Sequence, residues 1–227
     1  MKRTLLLAAA AALAAGAAAA AEPDCPDASP RVEVSVEDPE PSLDLGAGMD
    51  ALRAESGAAG PADPRFRHLG LTASRVEWES EIEASVASAS GRACARPERV
   101  LIRFRHVEHR VRIARELPRG GCLFRETEAH ERRHAAANRA ALRRAAADAE
   151  AAARRWAASA VGRGATPQSA LAALRDDLRR AITPAVESMQ AARDAAHGAI
   201  DRPEEYERLG RVCPEDHKAI AEGSRRR

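Results

Sequence analysis

His130-Glu131-Arg132-Arg133-His134 stands near the start of a long alanine-rich segment that contains no helix-breaking residue. In a helix, residues four positions apart lie on one face, so both imidazoles can reach a single tetrahedral metal ion. Glu131 lies beside them, where its carboxylate can accept a proton from a metal-bound water. The pattern predicts a zinc-dependent hydrolase, and a metallopeptidase is the first interpretation.

The residues that follow predict two long helices. Nothing breaks a helix between the pentapeptide and Gly162. Thr166-Pro167 is typical of a helix start, because proline suits the first helical position. Large apolar residues then recur at steps of three and four, which indicates a helix with one buried face. We predict a long antiparallel helical hairpin over residues 123–200, with a kink or break at Pro184.

The part before the helices alternates polar and apolar residues, which is typical of strands with one buried face. The clearest alternating segments are residues 31–37, 70–86 and 99–105. The alternation changes phase around residues 106–109, which indicates a hairpin or a bulge. We interpret His106 and His109 as surface residues of that irregular stretch. The sequence therefore predicts an α+β fold, in which a small antiparallel sheet over residues 31–116 precedes the helices.

Residues 1–21 have the layout of a secretory signal peptide, with a basic start, an apolar run and an alanine-rich exit. Residues 22–30 are rich in proline, aspartate and serine, and we interpret them as a linker. One domain is predicted over residues 31–213, followed by a polar tail over residues 214–227. No second long apolar stretch occurs, so we expect no transmembrane segment in the mature chain.

The four cysteines lie beyond the signal segment, and an even number in an exported chain predicts two disulfides. The predicted hairpin brings Cys122, which opens the first long helix, near Cys213, which follows the second. We favour the pairs Cys122–Cys213 and Cys25–Cys94, and Cys94–Cys122 stays an alternative. Export and disulfides together predict a periplasmic or secreted protein.

The charge of the chain is nearly balanced, with 36 basic and 34 acidic residues and a net charge of +2. Nucleic-acid-binding proteins more often show a basic face with stacking aromatic residues, and aromatic residues make up only 3% of this chain. We therefore expect no nucleic acid as partner. The HExxH motif and the predicted export instead favour a peptide or an envelope protein as substrate. The sequence leaves the oligomeric state open.

A catalytic zinc site commonly has three protein ligands, so a third residue must join His130 and His134. In the predicted hairpin the pentapeptide lies about 30 residues, roughly 45 Å, before the turn. His197 lies about as far after the turn, which makes it the first choice as third ligand. The alternatives are Asp201, Asp194 and Glu205, as ligands or, for the two aspartates, as residues that orient a ligand. Tyr206 follows closely and is a candidate donor to the oxyanion.

This order of elements resembles the predicted secreted zinc-dependent proteases of bacteria, a zincin-like family. The resemblance spans roughly residues 70–213, with a strand ending in Leu-Pro, the HExxH motif on a helix and His197-Gly198 on a later helix. It implies a zinc site in which Glu131 is the general base and a late histidine, here His197, is the third ligand. It also implies an edge strand that holds an extended substrate, for which Val111 to Glu116 is the candidate.

A second hypothesis comes from another functional class. The helical hairpin on a small sheet could belong to a non-catalytic periplasmic protein that binds an envelope partner, with zinc absent or structural. Zinc content and peptidase activity distinguish this hypothesis from the metallopeptidase.

Overall fold

The structure is a computed structural model, and it describes residues 23–56 and 68–224. The predicted signal segment at residues 1–21 and the end of the predicted tail at residues 225–227 lie outside the described residues. The strands are β1 (Arg31–Glu37), β2 (Ser42–Asp44), β3 (Gly70–Ala89), β4 (Arg92–Ile113) and β5 (Gly162–Gly164). The helices are α1 (Met49–Glu55), α2 (Cys122–Ala157), α3 (Pro167–Ile200), α4 (Pro203–Arg211) and α5 (Pro214–Ser224).

The long strand β4 is the centre of the sheet. β3 lies antiparallel along it from end to end, and the two strands are joined by a turn at Ser90-Gly91. Both turn residues have positive φ, 51° and 73°, which suits the two-residue turns that match strand twist. On the other side of β4, β1 and β2 pair with it in parallel and β5 pairs antiparallel. Each of the other four described strands therefore pairs with β4.

The prediction of a small antiparallel sheet followed by a helical hairpin is wrong, although the fold is α+β. The sheet is mixed, because β1 and β2 run parallel to β4. The connection between α2 and α3 returns to the sheet as β5, so the two helices do not form a separate unit after it. Alternation of residues reports which face of a strand is buried, but it does not report the direction in which neighbouring strands pair.

The phase change around residues 106–109 is a bulge within β4. The register with β3 shifts there, since Arg75 pairs with Glu108 while Val76 pairs with His106. Val107 is therefore the extra residue, and the bulge turns His106 and His109 to the same face of the sheet. Both histidines are buried, at 8% and 7% exposure, so their interpretation as surface residues is wrong.

One face of the sheet packs against α2 and α3 to form the main core. Its largest members are Val100, Ile102 and Phe104 of β4, together with Leu142, Leu178 and Ile182 of the helices. Thr166 caps α3 through a reciprocal hydrogen bond with Ser169, and Pro184 lies within α3 without ending it. The opposite face of the sheet carries exposed arginine–glutamate pairs, which contribute little to stability individually.

The C-terminal segment closes over the start of α2. Residues 214–224, predicted to be part of a polar tail, form helix α5, and Ile220 of this helix is buried. Asp216 of α5 accepts a hydrogen bond of 2.7 Å from the backbone N–H of Leu123, and so caps a helix that has no side-chain cap of its own. This contact holds the N-terminal end of α2 in place.

Both favoured disulfides are confirmed. Cys25 pairs with Cys94 and Cys122 pairs with Cys213, with Cα–Cα distances of 5.6 and 5.7 Å. Two disulfides indicate an oxidising compartment, extracellular or periplasmic. Across residues 23–56 and 68–224, no helix combines the length and the apolar character that crossing a bilayer requires.

Candidate metal centre

The HExxH residues lie on the face of α2 that is turned towards the sheet and the C-terminal helices. His130, Glu131 and His134 are 5%, 6% and 6% exposed. Polar groups are costly to bury without partners, so the contacts of these three side chains indicate what the site is built to do.

The two imidazoles converge with a carboxylate. The Nε2 atoms of His130 and His134 lie 3.2 Å apart. Oδ1 of Asp201 lies 3.2 Å from Nε2 of His130 and 3.0 Å from Nε2 of His134. Ligands about 2.0 Å from a tetrahedral zinc ion lie about 3.3 Å from one another, so this triangle has the dimensions of a zinc site. Two imidazole nitrogens and a carboxylate oxygen are also a donor set that zinc accepts.

Asp201, rather than His197, completes this group of potential ligands. His197 packs its ring against that of His134, with centroids 4.8 Å apart, but its Nε2 is engaged 2.9 Å from Oδ1 of Asn138. Asp201 is the C-terminal cap of α3, where the chain leaves the helix. Counting residues along two straight helices placed His197 level with the motif, and it could not show that the helix end turns a carboxylate inward.

The other predicted residues have different surroundings. Glu205 of α4 lies with Oε1 3.4 Å from Nδ1 of His130, so it is placed to orient a ligand. Tyr206 donates a hydrogen bond of 3.0 Å to Oδ1 of Asp201, which commits its hydroxyl to that carboxylate. Asp194 is exposed and accepts a hydrogen bond from Gln190.

The charges around His130 favour a cation. Burial alone would lower the pKa of His130, but hydrogen bonds to Asp201 and Glu205 and the negative charge of Glu131 raise it. Burial likewise would raise the pKa of Asp201, but hydrogen bonds from His130 and His134 hold it well below its usual range. The raised pKa of His130 favours a proton where a metal ion would be held, and the lowered pKa of Asp201 keeps its carboxylate ionised, so protons and metal should compete for this site.

Glu205 is fixed by arginines. Hydrogen bonds from Arg208, and then from Arg133, lower the pKa of Glu205 to about 2, although partial burial acts in the opposite direction. Nη2 of Arg133 also lies 3.0 Å from Nδ1 of His130. Nδ1 of His130 therefore lies between a donor, Arg133, and an acceptor, Glu205. Metal binding through Nε2 requires the tautomer in which Nδ1 donates to Glu205, and in that tautomer Arg133 does not donate to His130.

The carboxyl group of Glu131 is held against strand β3. Oγ1 of Thr72 lies 2.8 Å from Oε2 and 2.9 Å from the backbone carbonyl oxygen of Glu131, so its one hydroxyl proton is shared between these two acceptors. Burial raises the pKa of Glu131, although the hydrogen bond from Thr72 and the neighbouring His134 and His130 act in the opposite direction. A carboxylate with a raised pKa is a better proton acceptor, which is what a general base requires.

Sequence reasoning did not find the residues that support this site. Thr72 and Gly70 belong to β3, which the sequence does not relate to the motif. Asn138 lies four residues after His134 on the same face of α2, so helical periodicity could have found it. Its Oδ1 accepts from Arg193 as well as from His197, at 2.9 Å in both cases.

Gly70 gives Glu131 its space. A Cβ at Gly70 would lie 2.6 Å from Oε1 and 2.7 Å from Cγ of Glu131. We expect Gly70→Ala to lower the free energy of unfolding by about 1–3 kcal/mol, because a buried and tethered side chain would have to move. Urea unfolding of the variant measures this.

Gly198→Ala is the matched control for that substitution. A Cβ at Gly198, inside α3, meets no atom within 4 Å. This variant should gain about 0.5–1 kcal/mol, because alanine is the better helix former. Equal effects of the two substitutions would contradict the close packing of Glu131 on β3.

The strand predicted to hold a substrate, Val111 to Glu116, is not a free edge. Val111 pairs with Thr72 of β3 on one side and with Leu43 of β2 on the other. Among the described residues, β3 is paired on one side only, and the side chain of its Thr72 contacts Glu131.

Comparisons with known proteins add nothing to these geometric observations. No family model, no curated protein and no solved structure matches this chain. The resemblance to the secreted zinc-dependent proteases therefore stays a prediction, and the functional proposal has to rest on the site itself.

Proposed function

We propose that this protein is a zinc-dependent hydrolase that cleaves peptide bonds. The observation that carries the proposal is the convergence of His130, His134 and Asp201 on one point, with Glu131 beside them on the same helix. A structural metal site needs no buried carboxylate that is held near the metal but outside the ligand set. The arrangement of Glu131 is what a hydrolytic site needs.

The residues of the chain divide the work of hydrolysis. His130, His134 and Asp201 would hold the ion, and Glu205 and Tyr206 would orient the first and last of these ligands. Zinc supplies Lewis acidity, which polarises a carbonyl group and makes water more acidic near neutral pH.

Glu131 would carry the proton. Its carboxylate accepts a proton from the attacking water and then returns it to the amine that leaves, so that the residue ends each cycle ionised. Thr72 orients the carboxylate through its hydrogen bond to Oε2. Tyr206, the predicted oxyanion donor, has its hydroxyl engaged with Asp201 and is assigned to positioning in this proposal.

An extended peptide is the substrate class that the surroundings favour. β3 is unpaired on its outer side among the described residues, so a further strand could pair with it there, although the carbonyl of Ser74 already accepts from Arg193. Gly70 and Thr72, at the start of β3, contact Glu131. A peptide that pairs with this edge would pass the candidate site in extended form. The oxidising compartment and the predicted signal peptide of residues 1–21 favour a peptide or protein of the cell envelope or its surroundings.

The first experiment measures zinc and hydrolysis on the same sample. The purified chain should contain about one strongly held zinc ion per HExxH site by elemental analysis. It should cleave a denatured protein such as casein, and a chelator should abolish the cleavage until zinc is restored. Failure of this site to bind zinc overturns the proposal. Zinc bound at this site without cleavage of any peptide substrate would support the non-catalytic binding protein instead.

A further inference from the structure

Arg193 of α3 is a half-buried cation beside the candidate site. Its Nε donates to Oδ1 of Asn138 at 2.9 Å, and its Nη2 donates to the backbone carbonyl oxygen of Ser74 at 3.2 Å. An arginine has five N–H groups, so three of them remain. Within residues 23–56 and 68–224, no carboxylate forms an ion pair with Arg193 and no acceptor binds its Nη1.

Two other largely covered arginines of this fold do have carboxylate partners. The side chain of Arg112 is 13% exposed and pairs with Asp44. That of Arg139 is 23% exposed and pairs with Asp38. A charge that is taken out of water is costly unless it is paired, so Arg193 lacks an anion that the other two possess.

The residues that Arg193 contacts contain further unsatisfied atoms. Nδ2 of Asn138 and Oγ of Ser74 are buried and have no hydrogen-bond partner in the described parts of the chain. Asn138 as a whole is 1% exposed. Burial lowers the pKa of Arg193, with the charge of Asp194 acting in the opposite direction. Buried polar atoms are normally satisfied, so these surroundings favour an anionic oxygen next to the guanidinium.

Arg193 lies in line with the candidate metal centre. Arg193, His197 and Asp201 follow one another at steps of four, so they share one face of α3 and its C-terminal cap. Oδ1 of Asn138 lies 2.9 Å from both Arg193 and His197, while Asp201 lies 3.0 Å from His134. Two helical turns, about 12 Å along α3, therefore separate Arg193 from the carboxylate of the candidate centre.

Arg193 also ends the part of β3 that a peptide can use. Thr72 contacts Glu131, and the carbonyl oxygen of Ser74, two residues further along, is engaged by Arg193. A peptide that pairs with the start of β3 would meet Arg193 about 7 Å beyond Thr72, the length of two extended residues. A guanidinium at the end of such a path is placed to bind a carboxylate through paired hydrogen bonds.

We propose that Arg193 binds a carboxylate group of the peptide substrate, about two or three residues from the bond that is cleaved. This inference rests on the proposed function and specifies its substrate class. The carboxylate belongs either to the C-terminus of the peptide or to an acidic side chain, and both offer the two oxygens that a guanidinium matches. Arg193 contacts the substrate and sets specificity, and it takes no part in proton transfer.

Matched peptide pairs test the inference. The zinc-loaded protein receives short N-acetylated peptides that end in a free carboxylate or in a carboxamide, and a carboxamide series in which each position in turn carries Glu or Gln. We expect kcat/KM to be about 10–100-fold higher for the carboxylate member of one pair, the gain from a charge-assisted hydrogen bond. Preference for the free C-terminus or for Glu at one position identifies the source. Equal kcat/KM within every pair overturns the inference.

Variants separate recognition from a structural role of Arg193. Arg193→Met removes the charge and should abolish the preference by lowering kcat/KM for the carboxylate member alone. A residue that only joins α3 to Asn138 and Ser74 would affect both members of a pair by the same factor. Arg193→Lys keeps the charge but not the fork of donors, so it should keep only part of the preference, and it decides the question if Arg193→Met does not fold.

Arg175→Met is the matched control. Arg175 is exposed on the same helix, about 27 Å away along its axis, and this variant should keep the full preference. A preference that stays at the wild-type value in the folded Arg193 variants overturns the inference.

Binding measurements separate this inference from the proposed function. Calorimetric titration of the Glu131→Gln chain with the same peptide pairs measures recognition without turnover. Tighter binding of the carboxylate member, in a protein whose wild type cleaves no peptide, would support the role of Arg193 and overturn the metallopeptidase. Cleavage without any preference, in rate or in binding, would overturn the role of Arg193 and leave the metallopeptidase standing.

Discussion

Glu131→Gln should lower the rate of peptide hydrolysis by about 10²–10⁴-fold, the contribution expected from a general base. Glutamine keeps the size of the side chain and an oxygen that can accept the hydrogen bond of Thr72, but it cannot accept a proton from water. Zinc content should stay as in the wild type, since Glu131 is outside the group of potential ligands. Steady-state kinetics and elemental analysis of the same preparation measure both quantities.

Glu128→Gln is the matched control. Glu128 lies on the same helix, and its Oε1 accepts hydrogen bonds of 2.9 and 2.6 Å from Nε and Nη2 of Arg132. This variant should keep its activity. A Glu131→Gln protein that hydrolyses peptides at the wild-type rate would contradict the role of Glu131 as base.

Glu131 should also make the stability of the metal-free protein depend on pH. Because burial raises the pKa of Glu131, its protonated form is favoured in the folded, metal-free protein. Its contribution to stability is present at low pH and is lost as the pH rises through the raised pKa. The metal-free Glu131→Gln variant should thus be more stable than the metal-free wild type at neutral pH, and the difference should shrink under acid conditions. Urea unfolding at several pH values measures it.

The sequence alone predicts the residues of the site that lie together on one helix, but not those that depend on how distant segments of the chain pack. The spacing of His130 and His134 fixes their common face on any helix, so the motif alone predicted two ligands and the base. Asp201 is different, because its position depends on where α3 ends and how the chain turns into α4. A count of residues at 1.5 Å each carries an error of a turn over a helix of this length, and one turn separates His197 from Asp201.

The sheet shows the same limit. The alternation of residues 99–105 predicted that Val100, Ile102 and Phe104 of β4 share a buried face, whereas the residues of β3 are at most partly buried. The phase change predicted an irregularity near Val107. Parallel pairing of β1 with β4 was not visible, because it is decided by the path of the chain between them. The burial of His106 and His109 was missed for a related reason: only the register with β3 shows that one residue is inserted between them.

Asp201→Asn should release zinc from the HExxH site. The substitution keeps the size of the side chain and an acceptor for the hydroxyl of Tyr206, but it removes the anionic oxygen that lies 3.0 and 3.2 Å from the two imidazoles. We expect zinc affinity to fall by more than the about 10–100-fold that an orienting residue contributes. Competition with a fluorescent chelator measures the affinity directly.

His197→Ala separates a ligand from a neighbour. If Asp201 is the ligand, removal of His197 deletes a ring that packs on His134 and a hydrogen bond to Asn138, and zinc affinity should fall by no more than about 10–100-fold. Asp194→Asn, on the same helix and exposed, should change nothing. The reverse result, with zinc lost in His197→Ala and kept in Asp201→Asn, would assign the third ligand to His197. It would also mean that the end of α3 rearranges when metal binds, since the Nε2 of His197 is otherwise engaged with Asn138.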